Sequence, residues 1–488
     1  MIETVPIDEP HGLDDYAELV HLHEAVRALR AEAASLVARL AGRKVWMVNS
    51  TAHGGGVAEM LPKLVSLLNE LGVETEWVVM GTDQPDFFDL TKRLHNLVHG
   101  SGDPGLDDED RALYGAVSSE NAAEMKQRLG RDDVLVIHDP QPLGMGALLK
   151  QELGLPFLFR CHIGLDHDGP ETRAAWGFLH PFASACDHAI FSTAEYIPGF
   201  LAGRASVIRP AIDPLSFKNR ELSVHKVAGV LKNAGIARSR HPVVPSPWQE
   251  PVFRLLPDGA FAAMNEETEV GIPFRPIVTQ ISRWDRLKGF EPLLAAFVRL
   301  KETLGQRDAS PRHLRRLRHV RLVLAGPDPA AVADDPEALG VLADLTEAYR
   351  SLPHWIQEDV ALLSLPMGSR EENAMMVNAL QRCSSIVVQN SVQEGFGLTV
   401  TEAMWKQCAL AGSRACGIRQ QIRDGIDGRL IPDSRDPEGI AELLNEMLDD
   451  LPGRQRFGRS AQRRVHDEFL VFGQVRRWLE TLVEHAGR

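Results

Sequence analysis

Short apolar runs alternate with helical stretches along almost all of this chain, and they do so in two sets. In the first, Lys44–Asn49, Glu74–Met80, Val134–His138, Pro156–Cys161, Ala189–Ser192 and Ala205–Ile208 read as strands. Helices separate them, notably Val57–Leu71 and Glu171–Cys186. A second set begins at Ile277–Ile281 and continues through Val320–Ala325, Ser385–Gln389, Ala409–Gly412 and Arg429–Ile431. Strands that alternate with helices in this way predict an α/β fold with two parallel, doubly wound sheets. A chain of 488 residues is too long for one core and agrees with two domains. The join falls at Arg209–Asn219, where two prolines and an asparagine break the pattern. The expected division is 1–215, 216–465 and a closing helical segment at 466–488, with Phe472–Glu484 helical. Leu13–Leu40 mixes apolar and charged residues at helical spacing and predicts one long amphipathic helix before the first strand.

The formal charge of −14 argues against nucleic acid or an anionic membrane as a main partner, without forbidding a local basic cleft. Cys161, Cys186, Cys383, Cys408 and Cys416 form no CxxC pair and no zinc spacing, which points to reduced thiols in a cytoplasmic protein. The opening MIETVPIDEPHGLDD is acidic and polar, unlike a signal peptide, and no apolar run reaches the ~18 residues of a membrane span. Two segments read as insertions: proline-rich Ala237–Pro273 and arginine-rich Arg307–Arg321. A surface loop and a solvated helix face are the expected forms, with a subunit contact as the alternative.

The segment Glu394-Gly-Phe-Gly-Leu-Thr-Val-Thr-Glu402 puts two carboxylates around a glycine turn and a helix start. The two glycines let a ligand approach the backbone, and the amides of Gly397, Leu398 and Thr399, with the helix dipole, favour a phosphate. At ~1.5 Å per residue the carboxylates lie roughly 12 Å apart. That span suits a nucleotide-sugar, with one carboxylate on the sugar, amides on the diphosphate and one carboxylate on the ribose. An ordinary helix cap with a surface Glu is the competing reading.

Seven segments, EGFGLTVTEAMWK (Glu394–Lys406) with VNSTAHGGGVAEML (Val48–Leu61), FFDLTKRLHN (Phe87–Asn96), HDPQP (His138–Pro142), RCHIG (Arg160–Gly164), PAIDPLSFKNRELS (Pro210–Ser223) and TQISRWDRLKGF (Thr279–Phe290), run in one order. Together they resemble the retaining glycosyltransferases of GT-B architecture that carry a Glu-x7-Glu motif. Within these they resemble trehalose glycosyltransferring synthases and retaining trehalose phosphorylases. The resemblance covers most of the chain and implies two Rossmann-like domains facing a cleft. The acceptor side would be 1–215, the nucleotide-sugar side 216–465, and the last helix would cross back to the first domain. It implies a retaining, metal-independent transfer of glucose from an NDP-glucose to glucose or a similar acceptor, forming trehalose or a related α-glucoside, with no further cofactor. A phosphorylase is the nearest alternative, and a sugar-nucleotide-binding regulator without turnover is the non-enzyme one.

By that resemblance Arg283 and Lys288 grip the diphosphate, with Arg286 a weaker candidate, where a charged surface turn is the plain alternative. Gly54, Gly55 and Gly56 would wall the sugar–diphosphate junction; the run lacks GxGxxG spacing and a P-loop lysine, so an ATP or dinucleotide site is not supported. Glu394 would bind the donor sugar and Glu402 the ribose. Asp139 would hold acceptor hydroxyls, and Lys92, His95 and Asn96 would face the acceptor. His162 would donate to a sugar oxygen and support the reacting face, whereas His138 is as well explained as a core histidine. Asp166-His167-Asp168 is formally a DxD, but a metal role is not the expected one. Two departures from the family stand out: Cys416 precedes Gly417-Ile418 where a second glycine is usual, and Gly164 stands where Asp is frequent. A homodimer is an open expectation.

Overall fold

The computed structural model describes residues 2–52, 55–238, 248, 250–263, 269, 271–306, 308–331 and 337–486. Two compact units divide it: Met1–Asp213 with Phe469–Arg488, and Pro214–Glu468. The first unit's sheet contains β1 (Glu3–Thr4), β2 (Val45–Asn49), β3 (Thr75–Val79), β4 (Val134–His138), β5 (Phe157–Cys161), β6 (His188–Phe191) and β7 (Ala205–Val207). The spatial order is β1-β3-β2-β4-β5-β6-β7, parallel except for β1. Strands β2, β4, β5 and β6 are buried at every residue, as continuous apolar runs between helical layers must be. Strand order reverses between β2 and β4, so the carboxyl ends of these two strands form the crevice where open α/β sheets bind ligands.

The second unit's sheet contains β8 (Phe253–Leu255), β9 (Phe261–Ala263), β10 (Ile277–Ile281), β11 (Arg321–Pro327), β12 (Val360–Leu365), β13 (Ile386–Gln389), β14 (Leu410–Gly412) and β15 (Arg429–Leu430). Its order is β15-β14-β13-β10-β11-β12-β8-β9, parallel from β15 to β12. The reversal here lies between β10 and β13. Apolar layers cover both faces, one built around Trp284, Phe297 and Leu444, the other around Leu231, Ile277 and Leu380.

Three expectations change. Leu13–Leu40 is two helices, Leu13–Ala17 and His23–Arg39. Leu13 and Leu22 are both buried, yet nine residues at 3.6 per turn place them on opposite faces of a straight helix, so the chain breaks between them. The strand β12 was not foreseen; its run Val-Ala-Leu-Leu-Ser-Leu carries no period that separates strand from helix. The proline-rich insertion is more than a surface loop. Its β8 pairs antiparallel with β12 and its β9 with β8, and Val252 and Leu255 enter the core. Residues 239–247, 249, 264–268 and 270 of that insertion lie outside the described residues. In the arginine-rich segment, helix Pro311–His319 buries His313 and Leu317 and exposes Arg312, Arg315 and Arg318.

The final helix, Val471–Ala486, belongs to the first unit. It lies against His23–Arg39, with an Arg476–Glu32 ion pair and Phe472 edge-on to Tyr16. Among the described residues no helix is long and apolar enough to cross a membrane. None of the five cysteines is in a disulfide, and four of them are buried.

Candidate active site

In the second unit the loops after β10 and β13 meet at the strand-order reversal. The β10 loop is anchored by fully buried Trp284, whose indole N–H donates to the Pro327 carbonyl at 2.8 Å. Asp285 caps the short turn Arg286–Lys288 through the Leu287 amide. The Gln280 side chain then ties the two loops together. Its amide donates to the Lys288 carbonyl at 2.7 Å, and its carbonyl accepts from the Asn390 amide at 2.9 Å. The Val392 amide donates to the Leu287 carbonyl at 2.7 Å. The result is a Lys288 Nζ–Glu394 Oε2 ion pair at 2.9 Å, both side chains about seven-eighths buried.

Ser391 Oγ donates to the same carboxylate oxygen at 3.0 Å, and Gln389 Nε2 lies 3.5 Å from it. Burial opposes ionisation of Glu394, but Lys288, Ser391 and Arg283 outweigh it and hold the carboxyl below the usual range. Glu394 is therefore an anion fixed among donors. Arg283 is largely exposed, 4.0 Å from Asp285, whereas Arg286 turns to Asp344 at 2.8 Å.

The glycine turn follows. Gly397 is left-handed (φ 82°), and helix Leu398–Trp405 starts directly after it. Glu394 thus precedes the helix, and the helical-rise spacing between the two carboxylates does not apply. The first amides of a helix have no intrahelical acceptor, which leaves those of Leu398 and Thr399 directed out of its start. Gln421 braces the turn from behind, donating to the Phe396 carbonyl at 2.5 Å and to the Gly417 carbonyl at 3.0 Å. Glu402 is buried, not a surface group, with Lys218 Nζ at 3.7 Å. Lys406 lies beneath it, bonded to Gln381 Oε1 at 2.6 Å and to the Glu402 carbonyl at 3.1 Å; burial pushes its ammonium down to about 7.

The first unit carries its own cluster at the β2/β4 reversal. Gly55 and Gly56 open helix Gly55–Glu70 after β2, while Gly54 lies outside the described residues. Asp139 follows β4 in a left-handed conformation (φ 65°), a conformation uncommon outside glycine. Its carboxylate accepts from the His162 amide at 2.7 Å. Burial raises the Asp139 carboxyl to about 6, against the pull of that amide and of Arg160. His138, which closes β4, stacks with His162 after β5, and its Nδ1 lies 2.9 Å from His162 Nε2. Lys92 and Asn96 lie on the exposed face of helix Pro85–Val98, and His95 is half-buried beside His99. Their assignment to an acceptor rests on the resemblance. In the DxD, Asp166 pairs with His167 and Asp168 with Arg173 at the start of helix Pro170–Ala183. Among the described residues no three His, Cys, Asp or Glu side chains converge as a metal-binding set.

Both departures from the family have a local explanation. A side chain at Gly164 would place its Cβ 2.3 Å from the Tyr196 ring, so Tyr196 fills the space an aspartate would need. Gly417 is the glycine the turn requires: its Cβ would stand 2.4 Å from Phe396 Cα, and its amide donates to the Glu394 carbonyl at 3.2 Å. Residue 416 does not carry that contact and can be cysteine.

The family description "Trehalose synthase, N-terminal domain" matches residues 47–198, and "Glycosyl transferases group 1" matches residues 267–464. A trehalose synthase of Thermococcus litoralis is 32% identical, over 97% of this chain and 97% of its own. The chain belongs to the trehalose synthase family. It is a glycosyltransferase of that type. A trehalose phosphorylase of Pleurotus pulmonarius is 26% identical over 91% of the chain, which spans 57% of that relative. A crystal structure of a UDP-forming α,α-trehalose-phosphate synthase from Burkholderia xenovorans, in complex with glucose-6-phosphate, has the same fold (TM-score 0.62, 16% identity, covering 91% of this chain and all of that one).

Lys218, Gln389, Ser391 and Gly417 were not foreseen as functional. Lys218 lies inside the quoted segment PAIDPLSFKNRELS, and Gly417 inside the noted departure, so both had a signal. Gln389 and Ser391 flank the motif but have no chemistry of their own until Glu394 folds back on them.

Proposed function

We propose that this trehalose synthase family member is a retaining glucosyltransferase that moves glucose from a nucleoside diphosphate glucose onto glucose, giving α,α-trehalose. The Lys288–Glu394 pair at the β10/β13 reversal carries this reading: a fixed anion for sugar hydroxyls sits bonded to a cation for the departing phosphate. The bond from the anomeric carbon to the phosphate oxygen breaks, and the acceptor oxygen bonds on the same face. The acceptor proton passes to the departing phosphate oxygen, so no protein nucleophile is needed. Arg283, Lys288 and the amides of Gly397, Leu398 and Thr399 neutralise the diphosphate, Glu402 holds the ribose, and Asp139 holds acceptor hydroxyls. Purified protein, incubated with UDP-, ADP- or GDP-glucose and glucose, is expected to give an α-linked disaccharide by anomer-resolved NMR. No α-linked product from any donor would overturn the assignment, and any turnover excludes a non-catalytic regulator.

A phosphorylase would use the same cations with inorganic phosphate in place of the nucleotide. Glu402 separates the two readings. A carboxylate hydrogen bond to ribose is worth roughly 1.5–3 kcal/mol, so Glu402→Ala is expected to raise KM for the nucleotide-sugar about 10- to 100-fold. Steady-state kinetics against donor concentration check this. Trehalose phosphorolysis unaffected by the substitution, with no nucleotide-sugar use in the parent, would favour the phosphorylase.

A further inference from the structure

Met47 on β2, His138 on β4 and His162 after β5 form a line across the first sheet. His138 is 1% exposed and Met47 is fully buried. His138 Nε2 lies 3.3 Å from Met47 Sδ, and His138 Nδ1 lies 2.9 Å from His162 Nε2. His162 Nδ1 is buried and has no hydrogen-bond partner among the described residues. Burial and the nearby Arg160 guanidinium push both imidazoles down, His138 to about 3, so each ring is neutral and carries one N–H.

A thioether sulfur can only accept. The contact to Met47 therefore requires the His138 proton on Nε2, which leaves His138 Nδ1 as a lone pair. That lone pair must be met by a proton on His162 Nε2. The His162 proton is then spent, and Nδ1, the orphaned atom, is an acceptor. We propose that His138, set by Met47, is a positioning residue that locks His162 in the Nε2–H tautomer, so that His162 Nδ1 accepts a hydroxyl hydrogen of the bound sugar. This reverses the donor role expected from the sequence, and it gives His138 a task beyond core packing. The sugar-hydroxyl part rests on the transferase reading above. The tautomer does not.

The test uses full-length protein labelled with 15N-histidine and long-range 1H–15N correlation, His162 being assigned from a His162→Ala spectrum. The expected result is a pyridine-like Nδ1 and a pyrrole-like Nε2 at both His138 and His162, unchanged between pH 5.5 and 8. Met47→Leu keeps the core volume and removes the acceptor. It is expected to mix the two tautomers of His162 and to lower kcat/KM for the nucleotide-sugar roughly five- to tenfold, as loss of one hydrogen bond implies. His138→Gln, whose side-chain oxygen can accept from His162 Nε2–H, is expected to restore the single tautomer and most of the rate in the Met47→Leu background. A proton on His162 Nδ1 in the parent, or tautomer signals unmoved by Met47→Leu, overturns the proposal. The expected tautomers with donor kinetics unchanged in His162→Ala would overturn the sugar contact alone.

Discussion

Replacing Lys288 with methionine is expected to abolish most transfer and to destabilise the second unit, and the two effects can be separated. Lys288 and Glu394 are a buried pair 2.9 Å apart. Removing one partner strands the other charge in a site it cannot leave, a change that costs about 3–5 kcal/mol. In the parent, the depressed Glu394 pKa contributes stability that is present above the unfolded carboxyl value and lost as pH falls through the folded one. Without Lys288, only Ser391 and Arg283 oppose burial, the largest cause, and the folded pKa is expected to rise above the unfolded one. The sign then inverts: the variant binds more protons folded than unfolded, and it loses stability as pH rises through the carboxyl range. Thermal melts at pH 4.5 and 7.5 should therefore show a larger Lys288→Met deficit at the higher pH. In the proposed mechanism Lys288 neutralises the leaving diphosphate, and its loss is expected to lower kcat by roughly 10²–10³. The double variant Lys288→Met/Glu394→Gln removes the stranded charge and is expected to recover the melting temperature but not the turnover. Recovery of turnover in the double variant would reduce the pair to a structural bridge.

The extent to which the sequence announced all this follows from the range of each interaction. Strands such as Val134–His138 and Ile277–Ile281 are wholly buried, so their composition alone marks them, and their ends are where the sequence places them. The two doubly wound sheets follow from the alternation. The helix break at residues 18–22 was legible only as a phase conflict between Leu13 and Leu22. Hairpin β8–β9 was hidden in a proline-rich stretch, because its pairing partner β12 lies about a hundred residues away and was itself unforeseen. The same holds at the site. Glu394 and Lys288 are 106 residues apart, and nothing in either segment says that Gln280 ties their loops together. The resemblance brought those two into one list; the bond between them is a property of the fold. Burial of Glu402 and the service of Lys218 and Gln421 depend on contacts that no local pattern encodes. The contact that bears on His138 comes from a sulfur atom on β2, ninety-one residues upstream.

Gly417→Ala is expected to damage donor use as severely as loss of a charged group, although residue 417 touches no ligand in the proposed mechanism. Its φ is not left-handed, so the requirement for glycine is one of approach. The new methyl would lie 2.4 Å from Phe396 Cα, 2.6 Å from Phe396 N and 2.7 Å from the Gly395 carbonyl carbon. These are backbone atoms and cannot rotate away, so the turn at residues 395–397 must shift or helix Cys416–Gln421 must withdraw. Either movement displaces what Gly417 and Gln421 hold: the Glu394 carbonyl, the Phe396 carbonyl and, through them, the amides that start helix Leu398–Trp405. Overpacking of this kind costs about 1–3 kcal/mol, well short of unfolding a domain of this size. Misplacing a charge-holding group by ~1 Å costs on the order of 10²-fold in rate. The expected signature is therefore a folded protein with nearly normal melting, a raised donor KM and a kcat lowered about a hundredfold. Equal kinetics for Gly417→Ala and the parent would show that the Glu394 loop tolerates displacement, and would remove the argument that a rigid turn organises the diphosphate.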